Sequence, residues 1–170
     1  MRHVVTIAAA FAVMSTQAAA ADTASTTCMT EPEANALFIY AIPEALTGVA
    51  KSCKAVLPAT AFLPTKSDET IARFRAAANG SWPMAKAAFL KIVGPGDDSK
   101  VISGMSDSAL EPFVAATLAA TVSKDIKPAD CGKIDRFVAA LAPIPVTNAA
   151  QLLTALMGLV GKGSDGFRIC

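Results

Sequence analysis

Histidine is almost absent from this sequence: His3 is the single one among 170 residues, and it lies in an N-terminal leader. Without that leader the chain cannot build a Ser-His-Asp or Cys-His nucleophile system, nor a zinc or iron site on imidazole. An excess charge of one sign is missing as well. The formal net charge is +1, and loss of Arg2 with the leader leaves basic and acidic residues balanced. A neutral chain lacks the concentrated basic footprint that nucleic acid requires, and it has no simple electrostatic attraction to an anionic membrane surface.

Closely spaced cysteines are lacking too. Cys28, Cys53, Cys131 and Cys170 stand far apart, so neither a four-cysteine metal site nor a C-x-x-C redox pair can form from neighbours. No stretch alternates apolar and polar residues as a strand would, and no solenoid repeat is visible. No cofactor is expected, because no motif that would hold one is present.

What is present begins with Met1-Arg2-His3, the apolar run Val4 to Met14 and the small residues Ala18 to Ala21. This is the pattern of a secretory signal peptide cleaved after Ala20 or Ala21. Its apolar part is too short to span a bilayer. Residues 1–21 are therefore expected to be removed and 22–170 to form one exported domain, periplasmic or secreted and not membrane-spanning. Cys28 follows Ser25-Thr26-Thr27, the wrong context for lipoprotein processing. In an exported chain an even number of cysteines implies two disulfides.

The remainder reads as an all-α bundle of about six helices. The first and longest is expected over Thr30 to Pro58, with Thr30 as N-cap, Pro32 in the first turn and Glu33 completing a capping box. Its apolar stripe runs Phe38, Ile42, Leu46, Val49, Cys53 and then Val56 or Leu57. The stripe stays in phase across Pro43, which predicts a kink there and not a break. About 25 residues of helix span roughly 37 Å, while bonded cysteines have Cα atoms roughly 4.4–6.8 Å apart. Cys28 and Cys53 therefore cannot bond to each other. Of the two remaining pairings, helices alternating up and down favour Cys28 with Cys131 and Cys53 with Cys170 over Cys28 with Cys170 and Cys53 with Cys131.

Beyond a turn over 59–66, a helix is expected from Ser67 to Ala78, closed by Asn79-Gly80. Another is expected from Ser81, its N-cap, to the Gly94-Pro95-Gly96 stop. Residues 94–107 form the one long loop, the kind of segment that often carries function. Its Asp97, Asp98 and Asp107 lack the spacing of the calcium hands. Helices then follow over Ser108–Lys124, with Ser108 and Glu111 as a capping box, over Cys131–Ala142, capped by Asp130, and from Thr147 to Val160.

Few side chains are left over for chemistry. Glu31, Glu33, Asp68, Glu69, Asp107, Glu111 and Asp130 fall at helix starts, where they complement the dipole. Glu44, about 200° around the helix from Ile42, points away from the apolar stripe. Arg73, Arg75 and Lys86 remain as a small solvated group. Phe137 to Gly161 contains no charge and reads as buried core, since Pro143 and Pro145 cut it into pieces too short to cross a bilayer. Asn79-Gly80-Ser81 matches the N-glycosylation acceptor pattern, which matters only in a eukaryotic secretory pathway. Trp82 and Tyr40, the only tryptophan and tyrosine, are the candidate contacts for a partner or ligand. The expected role is non-enzymatic binding of a protein partner or an apolar small molecule. A hydrolase built on a carboxylate pair is the alternative.

Overall fold

A computed structural model describes residues 28–160 and 169–170. The expected leader and its cleavage point lie outside the described residues. The fold is all-α: α1 (Glu31–Cys53), α2 (Phe62–Ala78), α3 (Trp82–Val93), α4 (Asp97–Gly104), α5 (Asp107–Asp125), a 3-10 turn (Pro128–Asp130), α6 (Cys131–Leu141) and α7 (Val146–Val160). The seventh helix is α4, which forms within the segment expected to be loop. Asp97 and Lys100, three residues apart on it, pair at 3.0 Å, whereas Asp107 pairs with Lys86 at 2.6 Å.

The start of α1 follows its local code. Thr30 accepts from the Glu33 N–H at 3.4 Å, while the Glu33 carboxylate accepts from the Thr30 N–H at 2.8 Å. Lys91 of α3 donates to the same carboxylate at 2.6 Å. That bond first, and the Thr30 backbone second, holds the Glu33 carboxyl below its ordinary range. The helix continues through Pro43 and ends at Cys53, with Lys54 as C-cap, several residues short of Pro58.

Helix α1 is the centre of the bundle, packed by α2, α3, α5 and α7. For that reason its buried positions do not form a single stripe. Ala34, Ala36, Leu37, Tyr40, Pro43, Glu44, Leu46, Gly48, Ala50 and Cys53 are buried, whereas Phe38, Ile42 and Val49 of the expected stripe are only half-buried. Small residues on the other faces let neighbouring helices come close. One core cluster joins Leu46, Ala50 and Cys53 to Leu63, Ile71 and Phe74 of α2, Cys131 of α6 and Val146 of α7. A second joins Tyr40 to Trp82, Ala85, Leu110 and Val114.

Helix α2 begins at Phe62, five residues before the expected start at Ser67. Its N-cap position, Ala61, has no side chain to offer. Instead, the Asp135 carboxylate of α6 accepts from Phe62 N–H at 3.3 Å and Leu63 N–H at 2.7 Å, supplying from another helix the partner that free N–H groups need. Ser67 lies inside the helix, donating to Leu63 O at 2.6 Å. At α3, α5 and α6 the N-cap positions are Ser81, Ser106 and Asp130, and none makes a side-chain cap bond. The box expected at Ser108 and Glu111 lies within α5, and α7 begins at Val146, one residue before Thr147.

The disulfides are Cys28–Cys170 and Cys53–Cys131. This reverses the favoured pairing. The expected alternation omitted α4, and with it the parity on which the preference rested. The Pro128–Asp130 turn delivers Cys131 to the C-terminal end of α1, and Ile169 forms a parallel bridge with Met29 that brings Cys170 beside Cys28. Cys170 N–H donates to Met29 O at 2.8 Å. Both ends of α1 are thus tied to the C-terminal half, and the two bonds suit an oxidising, exported environment.

Candidate functional site

Tyr40 and Trp82, singled out by their rarity, come together. Their ring centroids are 5.0 Å apart at a tilt of 46°, within the range of favourable aromatic pairs. Each is only 7% exposed, so Trp82 covers the core and does not stand out as an exposed anchor. The Tyr40 hydroxyl donates to Glu111 O at 2.8 Å. Burial first, and then the negative charges of Glu111 and Glu44, push its pKa up to about 12. The Trp82 indole N–H is buried without a hydrogen bond. It lies near enough to the Asp107 carboxylate to favour its charged form, though Lys86 is the main cause of that carboxyl's lowered pKa.

The two rings border a cleft of about 470 Å³ between α1, α2, α3 and α5, into which Glu44, Arg75 and Glu111 also face. One turn beyond Tyr40 on α1, Glu44 is buried, although it lies on the side of the helix away from the expected apolar stripe. Helix α2 covers that side of α1 and supplies the compensating charge: Arg75 Nε donates to Glu44 Oε1 and Nη2 to Oε2, both at 2.8 Å. Such two-pronged pairs are the strong form of charge-assisted hydrogen bond. The Glu44 bond is also the leading cause of the raised Arg75 pKa. Arg75 Nη2 further donates to Thr47 Oγ1 at 3.0 Å, which in turn donates to Pro43 O at 2.9 Å.

Arg73, Arg75 and Lys86 form no common patch. Arg73 Nη2 donates to Ala142 O and the guanidinium lies 5.4 Å from the Phe74 ring centroid. Lys86 is held by Asp107. Among the described residues no group of three or more carboxylates, cysteines or histidines is placed to hold a metal ion.

A different surface departs from the sequence reading. The uncharged segment expected to be buried core is only half so, because α7 turns Val146, Ala150 and Thr154 inward and Leu152, Leu153, Leu156 and Leu159 outward. Exposure along this face reaches 79% at Leu159. On α6, Phe137 is exposed beside Lys133 and Arg136. Among the described residues no single helix is long and apolar enough to cross a membrane; only α6 and α7 taken together pass that test, with a bend of 114° between them. No protein family, curated protein or solved structure matches the chain.

Proposed function

We propose that this chain is an exported, non-enzymatic binding domain whose outward α7 face associates with lipid acyl chains. The observation that carries this reading is the row of Leu152, Leu153, Leu156 and Leu159, exposed on a helix with no charged residue. Of the two partners the sequence left open, a protein or an apolar ligand, the leucines favour the second. Leucine is under-represented among protein hot spots, whereas leucine and phenylalanine dominate the buried faces of helices that lie in a membrane interface. The break at Pro143 and Pro145 and the bend between α6 and α7 suit a helix lying in the interface and not a span. The leader and the two disulfides support export, with the periplasm as the destination.

The hydrolase alternative has its nearest approach in Glu44 and Glu111 around one cleft. Both Glu44 oxygens accept hydrogen bonds from Arg75, so that carboxylate is engaged in an ion pair between α1 and α2 and has an evident structural role.

The reading is tested by co-sedimenting the oxidised, leader-free protein with phosphatidylcholine vesicles at low and high salt. Binding should be insensitive to salt, because the chain is neutral and the contact apolar. The substitutions Leu156→Gln and Leu159→Gln should each weaken it by about tenfold or more, from the apolar area lost. No sedimentation of the parent, or equal sedimentation of the double variant, overturns the proposal. A dimer that these same substitutions dissolve assigns the face to a second copy of the chain instead.

A further inference from the structure

Between the first turn of α1 and α7 lies a recess of about 390 Å³, lined by Glu31, Pro32, Asn35, Gln151, Thr154 and Ala155. Two of its residues each hold a polar atom, Asn35 Oδ1 and Thr154 Oγ1, that is buried with no hydrogen-bond partner within the protein. Thr154 itself is more than nine-tenths buried. Helical hydroxyls commonly satisfy themselves on the carbonyl one turn back, and here Thr47, Thr65, Ser67 and Thr70 all do so. Thr154 does not. Buried polar atoms are nearly always paired, and leaving one unpaired is costly; two in one recess mark a place where a partner is missing.

We infer that this recess binds a neutral polyhydroxyl ligand, the hydroxylated ring of a sugar. Net charge on the ligand is disfavoured from both directions: the N-terminal end of α1 opposes a cation, and the Glu31 carboxylate opposes an anion. A hydroxyl both donates and accepts, so it satisfies Thr154 Oγ1 and the Asn35 amide in either orientation of the amide. The Glu31 carboxylate and Gln151 amide, both exposed, provide acceptors and a donor for further hydroxyls at the rim. Pro32 and Ala155 offer small apolar surfaces to the C–H faces of a ring. The volume lies in the range of small-ligand sites. Of the α7 residues in this recess Thr154 turns inward while Gln151 and Ala155 are exposed, and none of the outward leucines lines it.

The test is a titration of the oxidised, isotope-labelled full chain with D-glucose, as the free sugar, and with maltotriose, as part of a chain, followed by amide NMR. Saturable shifts are expected at the Asn35 and Gln151 side-chain amides and at Thr154, and the sugar that binds tighter identifies which source the recess accepts. Thr154→Val should weaken binding by about tenfold, the value of a hydrogen bond lost at a buried site, while Thr154→Ser retains it. Gln151→Ala, on the exposed rim, gives the same direction of effect should the valine variant not fold. If neither sugar produces saturable shifts, or if binding is indifferent to both Thr154→Val and Gln151→Ala, the inference is overturned and the recess holds only water.

Discussion

Gly48 of α1 stands directly against the backbone of α5 at Ala119: a Cβ placed on it would lie 2.3 Å from the Ala119 carbonyl oxygen and 3.1 Å from Ser123 N. One turn further along, Ser52 Oγ donates to Ser123 O at 2.9 Å, so the two helices are locked together along this line. Gly48→Ala sets two effects against each other. Relief of glycine's poor helix propensity contributes about 1 kcal/mol, while forcing a methyl group into a closed contact costs about 1–3 kcal/mol and sometimes more. Because the blocking atom is backbone, the second effect should win. A net loss of up to about 2 kcal/mol is expected in thermal or urea unfolding; a variant more stable than the parent would show that α1 and α5 are not in contact at Gly48.

Arg75→Ala should destabilise the fold more than removal of an ordinary surface charge, because it leaves the buried Glu44 carboxylate unpaired. Breaking a fully buried pair costs about 3–5 kcal/mol, but the Arg75 side chain is half exposed and water will reach the site, so about 1–3 kcal/mol is expected here. The double variant Glu44→Leu with Arg75→Leu should recover most of that loss. A double-mutant cycle on Glu44 and Arg75 measures the coupling, and a value near zero would reduce the pair to a surface contact.

How far the sequence could be followed depended on whether each signal was local. The α1 cap was legible because Thr30 and Glu33 lie within one turn. The start of α2 was not, because its N–H groups are satisfied by Asp135, more than seventy residues away. The burial of Glu44 was not legible because α1 is packed on several sides, so the side away from the apolar stripe is covered as well. For α7 the error ran the other way: an uncharged stretch looked like core, yet only Val146, Ala150 and Thr154 turn inward. The rarity of Tyr40 and Trp82 was visible at once, but their stacking depends on the packing of α3 against α1. The two unpartnered atoms of the recess carry no sequence signal, since an asparagine and a threonine in helices are ordinary until their partners are known.

The pairing of the cysteines is checked directly by proteolysis without reduction, which should release peptides joining Cys28 to Cys170 and Cys53 to Cys131. Each bond closes a long segment, with sequence separations of 142 and 78. Restriction of the unfolded chain alone gives about 4–5 kcal/mol for loops of this size, and removal of native bonds in small exported domains typically costs about 2–5 kcal/mol. Replacing Cys53 and Cys131 together by serine should therefore lower stability by about 2–4 kcal/mol. The C-terminal bond should behave differently in one respect: its loss frees Cys170 and Ile169 from Met29 without opening the Cys53 cluster. Recovery of a peptide joining Cys28 to Cys131 would refute the assigned topology.

Tyr40 offers the clearest pH dependence, because it is the only tyrosine and tyrosinate absorbance reports it alone. Its folded pKa is raised from 10.0 to about 12, chiefly by burial, so the folded state favours the neutral phenol more than the unfolded state does. The stability from this group is then fully present below pH 10 and is lost as pH rises from 10 through about 12, since the unfolded chain releases its proton first. The loss over that window should be on the order of 2–3 kcal/mol. Tyr40→Phe removes the titrating group together with the hydrogen bond to Glu111 O. The variant should start less stable by about 0.5–1.5 kcal/mol at neutral pH, and it should decline less steeply than the parent above pH 10. Ionisation of Tyr40 at an ordinary tyrosine pKa in the folded protein would mean that the ring is open to water and does not lie against Trp82.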